Sequence, residues 1–154
     1  MSETIRIIGV GNPLMGDDGV GIAAVERLAA LPLPAGVEAF DGGTGGLTLL
    51  ELMAGAETVI LLDAVEMGLA PGSIARFDAG AIAPEEGGAG LSLHEAALPA
   101  VFALGREMDL LPPQIVVFGV EPASVERRLG LSPAVAAVVE PLVERVLAEV
   151  RQGK

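Results

Sequence analysis

Cysteine, tryptophan and tyrosine are absent from this sequence, and histidine occurs once, at His94. Without cysteine there is no disulfide framework, no thiolate nucleophile, no iron–sulfur cluster and no cysteine-ligated zinc site. Any chemistry that needs an imidazole must use His94. Aromatic residues make up 3% of the chain, so base-stacking platforms are nearly missing. Positive charge is also scarce: 9 basic residues face 21 acidic ones, a formal net charge of -12 at pH 7. That balance repels phosphate backbones and anionic lipid surfaces, so neither nucleic acid nor a membrane is an expected partner. No stretch reaches the ~18 uncharged apolar residues of a spanning helix. Residues 1–10 lack the basic region and apolar run of a signal peptide, and the expected location is the cytoplasm.

What is present is apolar. Hydrophobic residues reach 51% and charged residues 19%, which excludes disorder, and 154 residues suit one domain, 1–154, with one core. The run from Ile5 to Val10 reads as a strand ending in a Gly-Asn-Pro loop. Ile22, Val25 and Leu28 recur at helical spacing, and Val37 to Phe40 reads as a second strand. A helix from about Leu47 to Met53 follows. Thr58 to Asp63 is almost continuously apolar, the pattern of a central strand covered on both faces. Ser73 to Phe77 suits a short edge strand, and residues 79–90 look like a mobile surface loop. A helical segment is expected from about Ser92 to Met108, then a buried strand from Gln114 to Val120. In the last helix Ser132 is the N-cap and Pro133 the first position. Its apolar stripe is Val135, Val138, Val139, Leu142 and Val146, and Pro141 should bend it. Strands alternating with helices imply α/β architecture: a three-layer α/β/α sandwich with a mostly parallel central sheet, of the phosphorylase/hydrolase-like kind.

In such a sheet, ligands bind beyond the carboxyl ends of the strands. Asn12, Asp17 and Asp18 follow the first strand, Asp41 follows the second, Asp63 ends the third, and Glu121 follows the fourth buried run. His94 reaches the same edge if Ser92-Leu93-His94-Glu95 forms a capping box, which puts it in the first turn of a helix. The helix dipole there keeps the ring neutral and able to bind a metal. Pro99 competes with this reading, because a helix starting near Pro99 leaves 92–98 as a separate turn. Two carboxylates and an imidazole at one edge suit zinc, nickel, manganese or iron. The same residues also have a plain reading: Asp17 or Asp18 caps a helix, Asp63 ends a strand in a turn, and His94 lies on the surface.

Other constellations fail on single positions. Gly9-Val10-Gly11 opens like a dinucleotide loop, but Leu14 stands in place of the third glycine, and Asp17 and Asp18 would repel a pyrophosphate. No P-loop exists, and the only lysine is Lys154. No G-x-S-x-G elbow is present. His94-Glu95 opens like a zincin helix, but Leu98 replaces the second histidine.

The segment from Gly9 to Gly21, reading Gly-Val-Gly-Asn-Pro-Leu-Met-Gly-Asp-Asp-Gly-Val-Gly, resembles the N-terminal signature of the hydrogenase maturation endopeptidases. The resemblance continues through Asp41 to Gly46, Leu62-Asp63-Ala64, His94, Gly119-Val120-Glu121-Pro122 and Leu131-Ser132-Pro133, covering nearly the whole chain. It implies an aspartic-type, metal-dependent endopeptidase that recognises nickel. Such an enzyme removes the C-terminal extension of a [NiFe]-hydrogenase large-subunit precursor after nickel insertion. The metal ligands carry over onto Asp18, Asp63 and His94, and Asp41 onto the segment linked to substrate discrimination, where it positions substrate or handles protons. The nickel is supplied by the precursor, and another divalent metal is an allowed occupant in the isolated protein. The partner is the large-subunit precursor, and a monomer is expected. Asp17 is read as a capping neighbour of Asp18, and Glu121 as a turn residue before Pro122. Two other classes stay open: a non-catalytic nickel-binding maturation chaperone using the same three ligands, and an α/β nucleotide-binding protein suggested by the glycine loop.

Overall fold

The apolar runs pair into one sheet in the computed structural model, which describes residues 4–78, 92–93 and 97–152, with 92–93 and 97–99 as backbone alone. Strands β1 (Ile5–Gly9), β2 (Val37–Asp41), β3 (Thr58–Glu66) and β6 (Gln114–Val120) are mutually parallel, and β4 (Ile74–Asp78) runs antiparallel along β6. The order is β2-β1-β3-β6-β4, so the sheet is mostly parallel with one reversed edge strand. β3 is central, and its side chains are buried from Thr58 through Val65, as a strand sandwiched between helix layers must be. It runs three residues past Asp63, to Glu66, because β5 (Ser92–Leu93) pairs antiparallel with Val65 and Glu66.

Alternating strand residues feed two cores. On one face Ile7, Ile60, Leu62, Val116 and Phe118 pack against α1 (Val20–Ala29) and α5 (Val139–Gln152). On the other, Ile8, Val59, Leu61 and Val117 pack against α2 (Thr48–Met53) and α3 (Ala97–Glu107). The three-layer α/β/α expectation is met, by burial of opposite faces at period two. Arg6 ties a layer to the sheet: its Nη1 donates to the Leu52 and Ala54 carbonyls at 2.9 and 2.7 Å, where α2 ends and needs donors.

Two helices differ from the sequence reading. Ser92 is a strand residue, and α3 starts at Ala97, close to the start near Pro99 that competed with the capping box, which places Pro99 in the first turn. There a missing N–H costs no helical bond, so proline is accommodated. The C-terminal helix is two pieces, α4 (Pro133–Ala136) and α5, separated before Pro141 rather than bent at it. Pro141 again occupies a first turn, for the same reason. Ser132 does cap α4, its Oγ accepting from the Val135 amide, and Val135, Leu142 and Val146 are buried as the stripe requires. The surface-loop expectation for 79–90 lies outside the described residues. Among the described residues no helix is long and apolar enough to cross a membrane.

Candidate functional site

Four parallel strands present their carboxyl ends at one edge, and the acidic residues are there, held by different devices. After β1 the chain turns through Val10 to Met15 into a 3-10 turn, Gly16–Gly19, that leads into α1. The approach is close: a Cβ on Gly11 would lie 1.9 Å from the Asp18 carbonyl oxygen, and Gly11 adopts φ +145°, which L residues rarely take. A Cβ on Gly21 would likewise lie 2.1 Å from the Leu62 carbonyl oxygen. These glycines exist to press the 3-10 turn and α1 onto β1 and β3. That accounts for the glycine loop without a phosphate, and the start of α1 holds buried carboxylates instead.

Asp17 and Asp18 are both buried, yet their carboxylates serve different ends. Asp17 accepts from the Ala123 and Ser124 amides at 2.8 and 3.2 Å, and from the Ser132 amide and hydroxyl at 2.7 and 2.8 Å. Burial opposes its ionisation most strongly of any single influence. The bonds from Ser132, Ala123 and Ser124 together outweigh it, and the carboxyl lies below its ordinary value. Asp17 is thus a latch between the 3-10 turn and the loop before α4, not merely a capping neighbour. Asp18 accepts from the Asn12 amide through Oδ2 at 2.9 Å, while its Oδ1 is buried with no hydrogen-bond partner among the described residues. A buried carboxylate oxygen lacking a donor is costly and suits a cation.

Asp63 is fully buried on β3, opposite Gly119 of β6 and one residue beyond the last pairing of β3 with β1. Its Oδ1 accepts from the Ala64 amide at 2.8 Å. The 3-10 turn that carries Asp18 packs against β3, so both carboxylates occupy this edge. Asp41, by contrast, is exposed at the end of β2 and accepts from the Gly43 amide at 2.8 Å in a tight Asx turn. Its loop is bound to the first one: Gly42 N donates to Gly9 O at 2.7 Å, and Gly11 N donates to Gly43 O at 2.8 Å. His94 lies outside the described residues. Leu93, which precedes it in sequence, pairs with Val65, two residues past Asp63. Among the described residues no three His, Cys, Asp or Glu side chains form a metal-holding group.

Glu121 is the residue whose role the sequence hid. It is buried beyond β6, and its Oε1 accepts from the Met67 and Leu69 amides at 2.7 and 3.2 Å. It therefore organises the chain leaving β3 just past Asp63. Its sequence signal was only an acidic residue ending an apolar strand, with no cation close by in the sequence.

Comparison with known proteins agrees with this architecture. A family model described as hydrogenase maturation protease matches residues 22–149. The hydrogenase 2 maturation protease of Escherichia coli K12 is 37% identical over 154 residues, covering 97% of this chain and 92% of that protein. The hydrogenase expression/formation protein HupD of Rhodobacter capsulatus is 34% identical over 151 residues, covering 97% and 72%. The solved structure of the hydrogenase maturating endopeptidase HybD from E. coli superposes with a TM-score of 0.83 at 34% identity, covering 97% of this chain and 93% of that one. Sequence and fold agree over nearly the whole length, and this chain belongs to the hydrogenase maturation protease family, as an endopeptidase.

Proposed function

We propose that this chain removes the C-terminal extension of a [NiFe]-hydrogenase large-subunit precursor, and that it does so only after nickel has been inserted. The observation that carries the reading is Asp18 Oδ1: a buried carboxylate oxygen without a donor among the described residues, on the edge where Asp63 is also buried. Asp18, Asp63 and His94 are the residues proposed to read the nickel, His94 by its identity as the sole imidazole. Oxygen and imidazole donors suit nickel, and a chain without thiolates avoids competing for the softer metals. The nickel belongs to the substrate; when engaged it supplies Lewis-acid polarisation and fixes the scissile segment in place.

The protein's own part is to hold two carboxylates in a rigid, water-poor setting. Gly11 brings the Asp18 backbone onto the β1 loop, Asn12 orients one carboxylate oxygen, and the Asp17 latch immobilises the turn. Asp41 is proposed to contact the incoming tail, a role its exposure beside that loop supports. The work is proposed to be done by a monomer in the cytoplasm. A nickel chaperone would use the same residues but leave the tail intact, and membership of a protease family favours cleavage. The test is to incubate nickel-loaded precursor with wild type, Asp18→Asn, Asp63→Asn and His94→Ala and weigh the products. Wild type should shorten the precursor by its C-terminal peptide and each variant should leave it whole. Full activity in any one variant removes that residue from the site.

A further inference from the structure

The loop that carries Asn12 also forms the floor of a groove beside the acidic edge. Arg128 N donates to Leu14 O and Gly16 N donates to Arg128 O, both at 2.8 Å, with Met15 and Arg128 bridged in parallel. This short ladder underlies a cavity of about 430 Å³ lined by Asn12, Leu14, Met15, Arg127, Arg128 and Leu129. Leu14 and Leu129, 58% and 77% exposed, together give the cleft an apolar rim beside its two arginines. Arg127 and Arg128 are exposed too, and among the described residues neither enters an ion pair. Asn12 joins the groove to the site, since its amide binds Asp18 Oδ2 at 2.9 Å.

We propose that this groove docks the carboxyl-terminal stretch of the precursor as an extended peptide, with apolar side chains on Leu14 and Leu129 and a carboxylate held by Arg127 and Arg128. The proposal rests on the protease reading and adds where the tail lies. A chain with 21 acidic and 9 basic residues repels the terminal carboxylate of a tail in general, and two adjacent arginines, unpaired among the described residues, reverse the local field beside Asn12. Guanidinium groups bind carboxylates through paired, charge-assisted hydrogen bonds. The groove is built in advance, because Asp17 pins Ala123, Ser124 and Ser132 on either side of the arginine segment. Little ordering is then left to oppose binding.

The test uses nickel-loaded precursor for kinetics and a synthetic peptide copying its carboxyl-terminal stretch for direct binding. Arg127→Ala/Arg128→Ala should raise KM about tenfold with kcat held within about twofold, and weaken peptide binding by the same factor. Leu14→Ser/Leu129→Ser should weaken it independently. The same peptide with its carboxylates converted to amides should bind wild type as weakly as the free-acid peptide binds the arginine variant. Thermal midpoints should be unchanged, since these side chains are exposed. Unaltered KM and peptide affinity in the arginine variant, equal binding of the neutralised peptide, or no peptide binding to wild type overturns the groove. Failure of wild type to cut the precursor overturns the protease reading instead, and the peptide arm still decides the groove.

Discussion

Asp17→Ala should be the most destabilising change at this edge. The side chain is 1% exposed and accepts four hydrogen bonds, and the Ser132 amide and hydroxyl are buried with it. Removing the carboxylate leaves the Ser132 donors without a partner, at about 1–3 kcal/mol each. Ala123 and Ser124 are accessible enough for water to replace their bonds. The expected loss is about 3–5 kcal/mol, a large share of the ~5–15 kcal/mol that holds a domain folded. For this chain length that lowers Tm by roughly 10 °C or more. Ser132→Ala removes the hydroxyl alone and should cost about 1–2 kcal/mol, part of it from the α4 cap. Because the two residues share a bond, the double variant should cost less than the sum. Urea unfolding followed by circular dichroism measures all three. The pH dependence carries a sign: the folded pKa of Asp17 lies below the ordinary 3.8. Its contribution is therefore complete above the ordinary value and lost only as pH falls through the lower one. The gap between wild type and Asp17→Asn should stay constant from pH 7 to about 5 and narrow only in stronger acid. A cost below about 1 kcal/mol for Asp17→Ala, or strict additivity with Ser132→Ala, would refute the latch.

Gly21→Ala should abolish folding or cost more than about 4 kcal/mol, because the new Cβ would lie 2.1 Å from the Leu62 carbonyl oxygen and backbone must move; soluble yield and thermal melting report it. Glu121→Ala should free the Met67 and Leu69 amides, raising their hydrogen-exchange rates at least about tenfold while the β1 amides stay protected. Arg6→Met should cost about 1–3 kcal/mol in urea unfolding by leaving the Leu52 and Ala54 carbonyls without their shared donor.

The sheet was legible because β3 and β6 are apolar on both faces, a pattern that only a covered parallel strand explains. β5 was not, since two residues carry no periodicity, and pairing with Val65 and Glu66 overrode the capping pattern at Ser92. Pro141 was read as a bend and Pro99 as a rival helix start; a helix begins just upstream of both, which bears out the second reading and not the first. The edge location of Asp18, Asp41 and Asp63 followed from strand order alone. The work of Asp17 and Glu121 did not, because their partners lie more than a hundred residues away for Asp17 and over fifty for Glu121. Such pairings leave no local trace. The groove arginines have no local pattern that marks a site; it is the Leu14–Arg128 ladder that sets them beside Asn12.

Cutting is proposed to wait for nickel, with Asp18 and Asp63 sensing it. The most direct measurement is the intact mass of nickel-loaded and nickel-free precursor after equal incubation with this protein. Loss of one C-terminal peptide from the loaded precursor alone, abolished by Asp18→Asn, is the predicted result. Equal cleavage of both forms, or no cleavage of the loaded one, would contradict the account.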